Sequence, residues 1–235
     1  MTDVGSEQSE IHNRRVLAER IAKVAGARAK GFLSKPERLK AELKSSTQDL
    51  VSTADRMTES YLRRMIKKNF PDDGIVGEEA GSTIGSSGYT WVIDPIDGTM
   101  AFLVGQPNWS VSIAVTRSCE PVIGVIYAPV MRELYVAEAG CGATLNERKL
   151  IMRSDWTVQS TNIGYGGTER ADPVEVGALV TQLYKEGGVL FRIGSGALML
   201  AYVAANRLGG YYDPTLFCWD CLAGVALIRE AGGLA

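Results

Sequence analysis

The spacing of apolar residues in the first 70 positions predicts two helices joined by a hairpin. Residues 10–30, and a segment that begins at Thr53 or Asp55, carry apolar side chains every three or four positions. That spacing is typical of a helix that packs on one face. The runs 39–44 and 50–53 are short and separated by turn residues, which favours a β-hairpin. The chain is therefore expected to begin with a helix, a hairpin and a second helix.

The middle of the chain has the apolar runs that are typical of strands. A short run at 75–79 ends in two acids, and the β-favouring run 91–93 predicts a buried strand. The Gly/Ser-rich stretch 81–88 between them predicts a mobile surface loop. An antiparallel meander is predicted after the buried strand, with strands at 111–115, 121–128 and 133–137 and a candidate edge strand at 141–145.

The last third alternates between strands and helices. The stretch 159–163 opens a second unit, and the elements predicted after it are a helix at 172–186, a strand at 189–193, a helix from 194–196 to 206, a strand at 211–213 and a helix at 217–230. Helices layered on mixed sheets indicate an α/β or α+β sandwich. We expect two closely packed halves, residues 1–154 and 155–235, that form one functional unit.

Composition narrows the class of protein. The chain has 235 residues, 46% hydrophobic and 22% charged, which is ordinary for a globular protein. A net charge of −2 argues against direct nucleic-acid binding. The longest apolar runs are too short to span a bilayer, and the N-terminus has no signal pattern. Four cysteines in a chain of this length favour a reducing compartment, so we expect a cytoplasmic protein without a membrane partner.

Two residue types limit the chemistry further. The sequence has one histidine, His12, which makes a Ser-His-Asp triad improbable and excludes a histidine-rich zinc site. Cys218 and Cys221 form a C-x-x-C pair without a second pair at zinc-finger spacing, so they are interpreted as thiols in the core or near a site. Hydrolysis, if this chain performs it, would depend on carboxylates, hydroxyl groups and a metal.

One nonapeptide, residues 91–99, places two acids at the end of the buried strand. Asp94 and Asp97 follow the strand, Gly98 permits close approach of the backbone, and Thr99 can cap a short helix. Carboxylates beside exposed N–H groups suit a divalent cation that bridges a phosphate. On this nonapeptide alone, a surface Asx-turn is nearly as good an interpretation.

Further acids occur at other element boundaries. They are Glu78 and Glu79 after the strand at 75–79, Asp213 after the strand at 211–213, and Asp220 in the first turn of the last helix. Acids at strand ends and helix starts point to a common edge in layered folds. Each could be a cap or a turn residue alone, but together they indicate a carboxylate-lined Mg²⁺ site.

These motifs, taken together, resemble the inositol monophosphatase family of Mg²⁺-dependent, lithium-sensitive sugar phosphatases. The resemblance runs from about residue 11 to the end of the chain. It rests on Gly77-Glu78-Glu79, the nonapeptide 91–99, Trp219-Asp220 with Ala223-Gly224, the stretches 194–198 and 230–233, and Lys44 with Asp49 and Asp55. It implies a sandwich of alternating α-β-α-β-α layers, and a homodimer. Because the family continues beyond the position of Ala235, we expect either that the chain is incomplete there or that this member is short.

The resemblance also implies a role for each site residue. The implied Mg²⁺ ligands are Glu78, Asp94, the Ile96 carbonyl, Asp97 and Asp220. The implied catalytic residues are Glu79 and Thr99, which would orient the attacking water, together with Asp97. The backbone N–H groups of Gly98 and Thr99 would hold the phosphate, and Gly196, Asp213 and Asp220 would lie on the substrate side. Lys44 and Asp55 would form an outer shell.

The function implied is hydrolysis of a small polyol phosphate, with inositol 1-phosphate as the first candidate. Histidinol phosphate, fructose 1,6-bisphosphate and adenosine 3′,5′-bisphosphate are alternatives, because related enzymes use them. Arg192 and Arg207 are the nearby cations for a second phosphate, although surface charge is their favoured role. Asp213 stands where the animal enzymes have a glutamate, and Gly209 where an aspartate is common, which leaves the alcohol undetermined. A non-catalytic regulator of the transcription machinery is the alternative outside enzymes.

Overall fold

The computed structural model of the chain describes residues 4–33, 41–43 and 50–235. Lys44 lies outside the described residues. The first half of the fold comprises α1 (Val4–Leu33), β1 (Ala41–Leu43), β2 (Leu50–Ser52), α2 (Thr53–Asn69), β3 (Gly74–Gly77), β4 (Gly81–Thr83), β5 (Tyr89–Asp97) and α3 (Thr99–Leu103). It continues with β6 (Ser110–Arg117), β7 (Glu120–Ala128), β8 (Glu133–Glu138), β9 (Gly142–Leu145) and β10 (Arg148–Leu150).

The remaining elements alternate, as the sequence predicts. They are a 3₁₀ turn (Val158–Ser160), β11 (Asn162–Tyr165), α4 (Pro173–Lys185), β12 (Val189–Phe191), α5 (Gly196–Ala204), β13 (Gly210–Tyr212) and α6 (Cys218–Glu230). None of the helices among the described residues is long and apolar enough to cross a membrane.

The large sheet has eight strands in the order β10-β9-β8-β7-β6-β5-β3-β4. Its strands pair antiparallel except for β3 and β5, which are parallel. β1 and β2 form the predicted hairpin. Two expectations were wrong. The stretch 81–88 contains β4, because it folds back on β3, and β10 rather than 141–145 is the edge strand, because it pairs with β9.

The helices cover both faces of the large sheet, and this defines the layers. One core lies between α1, α2 and the large sheet, and a second lies between that sheet and α5 with α6. The three-stranded parallel sheet, β12-β11-β13, contacts α5 through β13 and α4 through β12. The predicted α-β-α-β-α sandwich is confirmed. Its division into halves 1–154 and 155–235 stays a prediction.

The strand β5 is buried on both faces, and a polar network fixes its start. Trp91 belongs to the core under α1 and α2, whereas the next residue, Val92, belongs to the core under α5 and α6, as the alternation of a strand requires. The indole N–H of Trp91 donates to Asp73 at 2.8 Å, and Asp73 also accepts two bonds from the Arg14 guanidinium. The strand is therefore held rigidly, and its other end carries the candidate site.

Candidate metal centre

Two acids leave the large sheet side by side because β3 and β5 run parallel. Gly77 pairs with Ile93, and the next residues along the two strands are Glu78 and Asp94. The backbone N–H of Glu78 donates to the carbonyl of Ile93 at 3.4 Å, which ties the two strand ends together. The carboxyl ends of parallel strands are common places for ligand sites.

Three aspartates converge at this edge. One carboxylate oxygen from each of Asp94, Asp97 and Asp220 lies within 4.8 Å of the others. The side chain of Asp94 is fixed by the N–H of Ile96 at 2.9 Å, and that of Asp220 by the N–H of Phe217 at 2.7 Å. Glu78 lies outside this 4.8 Å group. The sheet thus supplies two of the acids, and the first turn of α6 supplies the third.

Asp97 also binds the start of α5. Its Oδ2 accepts hydrogen bonds from the Ser195 hydroxyl and from the N–H of Ala197 at 2.9 Å, and its Oδ1 accepts one from the N–H of Gly196 at 3.1 Å. A carboxylate at a helix N-terminus is stabilised by the orphan N–H groups and the helix dipole. Among the described residues, Oδ1 accepts only the bond from Gly196 and keeps a lone pair, so the same carboxylate can still coordinate a cation.

Burial and mutual repulsion raise the pKa of all three aspartates. Burial is the largest cause for Asp94, followed by the charges of Glu78 and Asp97, and its pKa lies well above the ordinary 3.8. Burial raises the pKa of Asp97 to about 6, although the bonds from α5 oppose this. Burial, and then the charge of Asp97, raise the pKa of Asp220 to about 7. The site therefore favours an added positive charge.

Sequence reasoning missed Glu59, which fixes the turn that carries Glu78 and Glu79. Its side chain is 1% exposed. Glu59 Oε2 accepts from the N–H of Glu79 at 2.7 Å, and Oε1 accepts from the N–H of Ala80 at 3.0 Å and from Arg63 Nε at 2.7 Å. A β-carbon at Gly77 would lie 2.5 Å from Glu59 Oε1, so the turn needs glycine there. The one sequence signal was a glutamate on the buried face of a helix.

The turn after Asp97 differs in one detail from the expectation. Gly98, with φ 90°, takes the N-cap position of α3, and Thr99 is the first helical residue rather than the cap. The Thr99 hydroxyl lies 3.1 Å from the Ile96 carbonyl oxygen and 3.3 Å from Asp55 Oδ1, so it donates to this pair. A β-carbon at Gly98 would lie 2.9 Å from the Asn108 carbonyl oxygen. Asp55 is thereby placed behind Thr99, and its charge also raises the pKa of Asp94.

A cavity of about 480 Å³ opens beside these groups. Glu78, Asp220, Gly98 and Thr99 line one side of it, and Arg170 and Arg192 also line it. A second cavity of about 170 Å³ is lined by Asp97, Gly196 and Asp213 and shares Asp220 and both arginines with the first. The two cavities thus share part of their lining, and the acids, the start of α3 and the two arginines surround them.

The residues expected on the alcohol side of a substrate lie together in the smaller cavity. Asp213 Oδ2 accepts from the Tyr211 hydroxyl at 2.8 Å, and Oδ1 accepts from the Thr215 N–H and hydroxyl, both at 2.8 Å. These bonds fix the carboxylate in one orientation. Gly196 lines the same cavity, and a β-carbon there would lie 2.9 Å from a methyl group of Leu216.

The arginines differ from the sequence expectation. Arg207 pairs with Glu133 Oε1 at 2.6 Å and is absent from the lining of both cavities. Arg192 lines both cavities and donates to the Gly167 carbonyl at 2.8 Å. Arg170, which sequence reasoning missed, lies with its guanidinium 4.4 Å from the ring centroid of Phe217. Both cavity arginines follow strand ends of the small sheet, a position that the sequence alone did not link to the acids.

The donor set fits a hard divalent cation. Carboxylate and carbonyl oxygens are the ligands of Mg²⁺, Ca²⁺ and Mn²⁺, and three such oxygens already lie within 4.8 Å of one another. Of the other candidate groups, His12 on α1 lies 3.3 Å from Glu138 on β8, whereas the two cysteines of the C-x-x-C pair flank Asp220 in α6. Cys218 and Cys221 are free thiols, and burial raises the pKa of each.

Comparison with known proteins gives a consistent set of relatives. The model of the inositol monophosphatase family matches residues 10–235. The chain is 40% identical over 190 residues to the Nus factor SuhB of Haemophilus influenzae, covering 79% of this chain and 71% of that protein. It is 38% identical over 221 residues to the inositol-1-monophosphatase of Rhizobium meliloti, covering 93% and 82%. The crystal structure of the extragenic suppressor protein SuhB from Bartonella henselae has a TM-score of 0.86 at 34% identity, covering 92% and 84%.

Proposed function

Because the chain belongs to the inositol monophosphatase family, we propose that it is a Mg²⁺-dependent phosphomonoesterase that hydrolyses a small polyol phosphate, with inositol 1-phosphate as the first substrate. The observation that carries the proposal is the convergence of Asp94, Asp97 and Asp220 beside the cavity. The raised pKa values of these acids support it, because a cation would relieve their repulsion.

The proposed metal ligands come from three elements. They are Glu78 after β3, Asp94, the Ile96 carbonyl and Asp97 at the end of β5, and Asp220 in α6. When bound, Mg²⁺ supplies charge neutralisation at the phosphate and lowers the pKa of a coordinated water. The buried carboxylates that hold it are already oriented by backbone N–H bonds, so little reorganisation is needed.

The chain's own groups would position the phosphate and the water. The N–H groups of Gly98 and Thr99, at the start of α3, would bind phosphate oxygens. Glu79 would accept a proton from the attacking water, and Glu59 sets its backbone position through the 2.7 Å bond. The Thr99 hydroxyl donates toward Ile96 and Asp55, so its oxygen lone pairs are available to orient that water.

The alcohol part of the substrate would occupy the cavity between Gly196 and Asp213. The carboxylate of Asp213 is fixed by three hydrogen bonds, and a fixed acceptor selects a hydroxyl group in one position. A sugar or polyol hydroxyl would fit this requirement better than an apolar alcohol. Because Asp213 and Gly209 differ from the residues that are usual in the family, the identity of the alcohol has to be determined by assaying several substrates.

A bisphosphate substrate is the second candidate, and Arg170 with Arg192 favours it. Both line the same two cavities as the acids, and guanidinium groups bind phosphate oxygens in pairs. Fructose 1,6-bisphosphate and adenosine 3′,5′-bisphosphate carry a second phosphate that these arginines would contact. Histidinol phosphate has no second anion and would not use them.

A regulatory role in transcription is favoured by a different observation, namely the relatives called Nus factor SuhB. In that case, a protein partner would bind the surface, and the metal site would have little physiological role. The homodimer, lithium sensitivity and cytoplasmic location that the resemblance implies belong to the proposed phosphatase.

Phosphate release tests the proposed function directly. We expect release from inositol 1-phosphate to require Mg²⁺ and to fall in the presence of lithium. The panel includes histidinol phosphate and the two bisphosphates, and an Arg192→Gln variant should raise KM for the bisphosphates alone. No release from any member at saturating Mg²⁺ would favour the regulatory role.

Two variants test the ligands. Asp94→Asn and Asp220→Asn should each lower kcat by about 100-fold or more, because each removes a charged ligand. Asp155→Asn is the matched control, since Asp155 is 68% exposed and pairs with Arg153 at the surface. Near wild-type turnover in either ligand variant would contradict its assignment.

A further inference from the structure

The last part of α1, residues 20–33, and the helix α2 carry positive charge that the net charge of the chain hides. Within the stretches 20–33 and 53–69, the only acidic residues are Asp55 and Glu59, and both are buried. The exposed charged side chains of these two stretches are therefore all basic. They are Arg20, Lys23, Arg28, Lys30, Arg56, Arg64 and Lys68, and we call them the basic face. In a protein with net charge −2, these two described stretches thus expose charge of one sign only.

Three arginines of the basic face line a groove between the helices. Arg28, Arg56 and Arg64 line this groove of about 340 Å³, together with the hydroxyl-bearing residues Thr53 and Ser60. These residue types all offer hydrogen-bond donors. Such a lining suits oxygen atoms of an anion, and guanidinium forks match phosphate oxygens in geometry.

An aromatic ring supports the arginines instead of being open to a ligand. The Arg28 guanidinium lies 4.3 Å from the ring centroid of Tyr61, and that of Arg64 lies 5.9 Å from it. Tyr61 is only 8% exposed. The ring therefore holds both cations in place and has no free face on which a base could stack.

The spacing along α2 favours an extended anion over a compact one. Arg56, Ser60, Arg64 and Lys68 recur every four residues, which is about 6 Å per step and about 18 Å in all. A single phosphate would contact only two neighbouring residues of this series, whereas a chain of phosphates could contact all four. The exposed apolar residues on this side of the two helices are aliphatic, such as Val24 and Met57. A helix that enters a membrane surface usually adds Trp, Phe or Leu.

We propose that the basic face binds a strand of nucleic acid through its phosphate backbone. Contacts to phosphates fix the position of a strand but carry no sequence information, and the covered ring of Tyr61 excludes base stacking at the groove. Binding is therefore independent of sequence and of the sugar. The expectation drawn from net charge does not apply to this face, because net charge averages over a surface on which the signs are segregated.

Fluorescence anisotropy with labelled RNA and DNA strands of about 20 nucleotides and the same sequence tests this proposal. With about four phosphate contacts, the affinity should fall about 50-fold between about 50 mM and about 200 mM salt. The double variant Arg28→Glu/Arg64→Glu should weaken binding about 10-fold or more at the lower salt and should flatten the salt dependence. Both side chains are exposed, so circular dichroism and phosphate release should stay as in the wild type.

The control is Arg148→Glu/Lys149→Glu, which makes the same charge change on the exposed edge strand β10. It should bind RNA as the wild type does. Equal loss in this control would refute the proposal, as would no binding at the lower salt. A strong preference for the RNA or for the DNA strand, or equal affinity for a poly-glutamate peptide, would also refute it. A milder variant, Arg64→Gln, should give an intermediate loss and covers the case in which the double variant misfolds.

Discussion

Replacing Glu59 by glutamine tests whether the turn after β3 must be held for the metal site to work. The carboxylate accepts bonds from the N–H groups of Glu79 and Ala80 and from Arg63. Glutamine has nearly the same shape but offers one acceptor oxygen, and its amide N–H₂ would face another donor. At least one buried backbone N–H therefore loses its partner.

The cost follows from these three bonds. A hydrogen bond to a charged group contributes about 1.5–3 kcal/mol, and removing one partner of a buried ion pair costs about 3–5 kcal/mol. We expect a loss of about 3–5 kcal/mol in the free energy of unfolding, which lowers Tm by about 6 to 20 °C in a chain of this size. From a native stability of about 10 kcal/mol, the middle of the usual range, about 5–7 kcal/mol would remain, so the variant stays folded.

The informative measurement is metal affinity. Mutations of residues that orient metal ligands typically cost about 10- to 100-fold in affinity, so Glu59→Gln should weaken Mn²⁺ binding, followed by electron paramagnetic resonance, by that factor. The same variant should raise the Mg²⁺ concentration needed for half-maximal phosphate release. The control, Arg63→Met, removes the ion pair and the bond from Arg63 to the Gly81 carbonyl. It leaves in place the bonds that Glu59 accepts from the N–H groups of Glu79 and Ala80, and it should change Mn²⁺ affinity by less than about 3-fold.

Two results would refute this reasoning. Mn²⁺ affinity in Glu59→Gln equal to that of the wild type would show that the turn keeps its shape without these bonds. An equal loss in Arg63→Met would show that the ion pair, rather than the backbone contact, positions the acids.

Other features give further predictions. Gly98→Ala should destabilise the fold by about 1–3 kcal/mol and lower kcat, because φ is 90° and a carbonyl oxygen blocks the new methyl group. Gly105→Ala is the control: it also has a positive φ but lies in open space, so it should lower stability without changing kcat. Urea unfolding measures the stability of each variant, and phosphate release measures its kcat. Arg14→Met should cost about 3–5 kcal/mol by breaking the buried pair with Asp73, with activity per folded molecule unchanged. Because burial raises the folded pKa of Asp220 to about 7, this carboxyl stabilises the metal-free protein below about pH 4, and the contribution is lost as pH rises toward 7. Asp220→Asn should therefore be more stable than the metal-free wild type at about pH 8, and added Mg²⁺ should cancel the difference; equal stability there would contradict the shift.

The elements with strong local signals could be predicted from the sequence. The run at 91–93 lies within β5 (Tyr89–Asp97) because β-branched and aromatic residues buried on two faces leave little choice. Asp172 and Pro173 begin α4 as predicted, since the Asp172 side chain accepts from the N–H of Val174. Gly81–Thr83 was missed as a strand because it is short, exposed and glycine-containing, so only its pairing with β3 defines it.

The convergence of the acids could be anticipated, but their support could not. The nonapeptide 91–99 and the Trp219-Asp220 motif indicated that Asp94, Asp97 and Asp220 belong together, and the structure brings them together. The bonds from α5 to Asp97 link residues about a hundred positions apart, and no local pattern encodes such a contact. Arg170 is similar, because it enters the cavity only through the placement of the small sheet.

The parallel ladder between β3 and β5 limits where the chain can change in length. Gly77 and Ile93 are partners, so the acids that follow them stay level only while both strands keep their register. One inserted residue within β3 would turn Glu78 to the opposite face, and two would displace it by about 6.6 Å. The exposed β4 segment between them has no such restriction. Within residues 74–97, insertions and deletions that preserve metal binding should therefore be confined to the β4 segment.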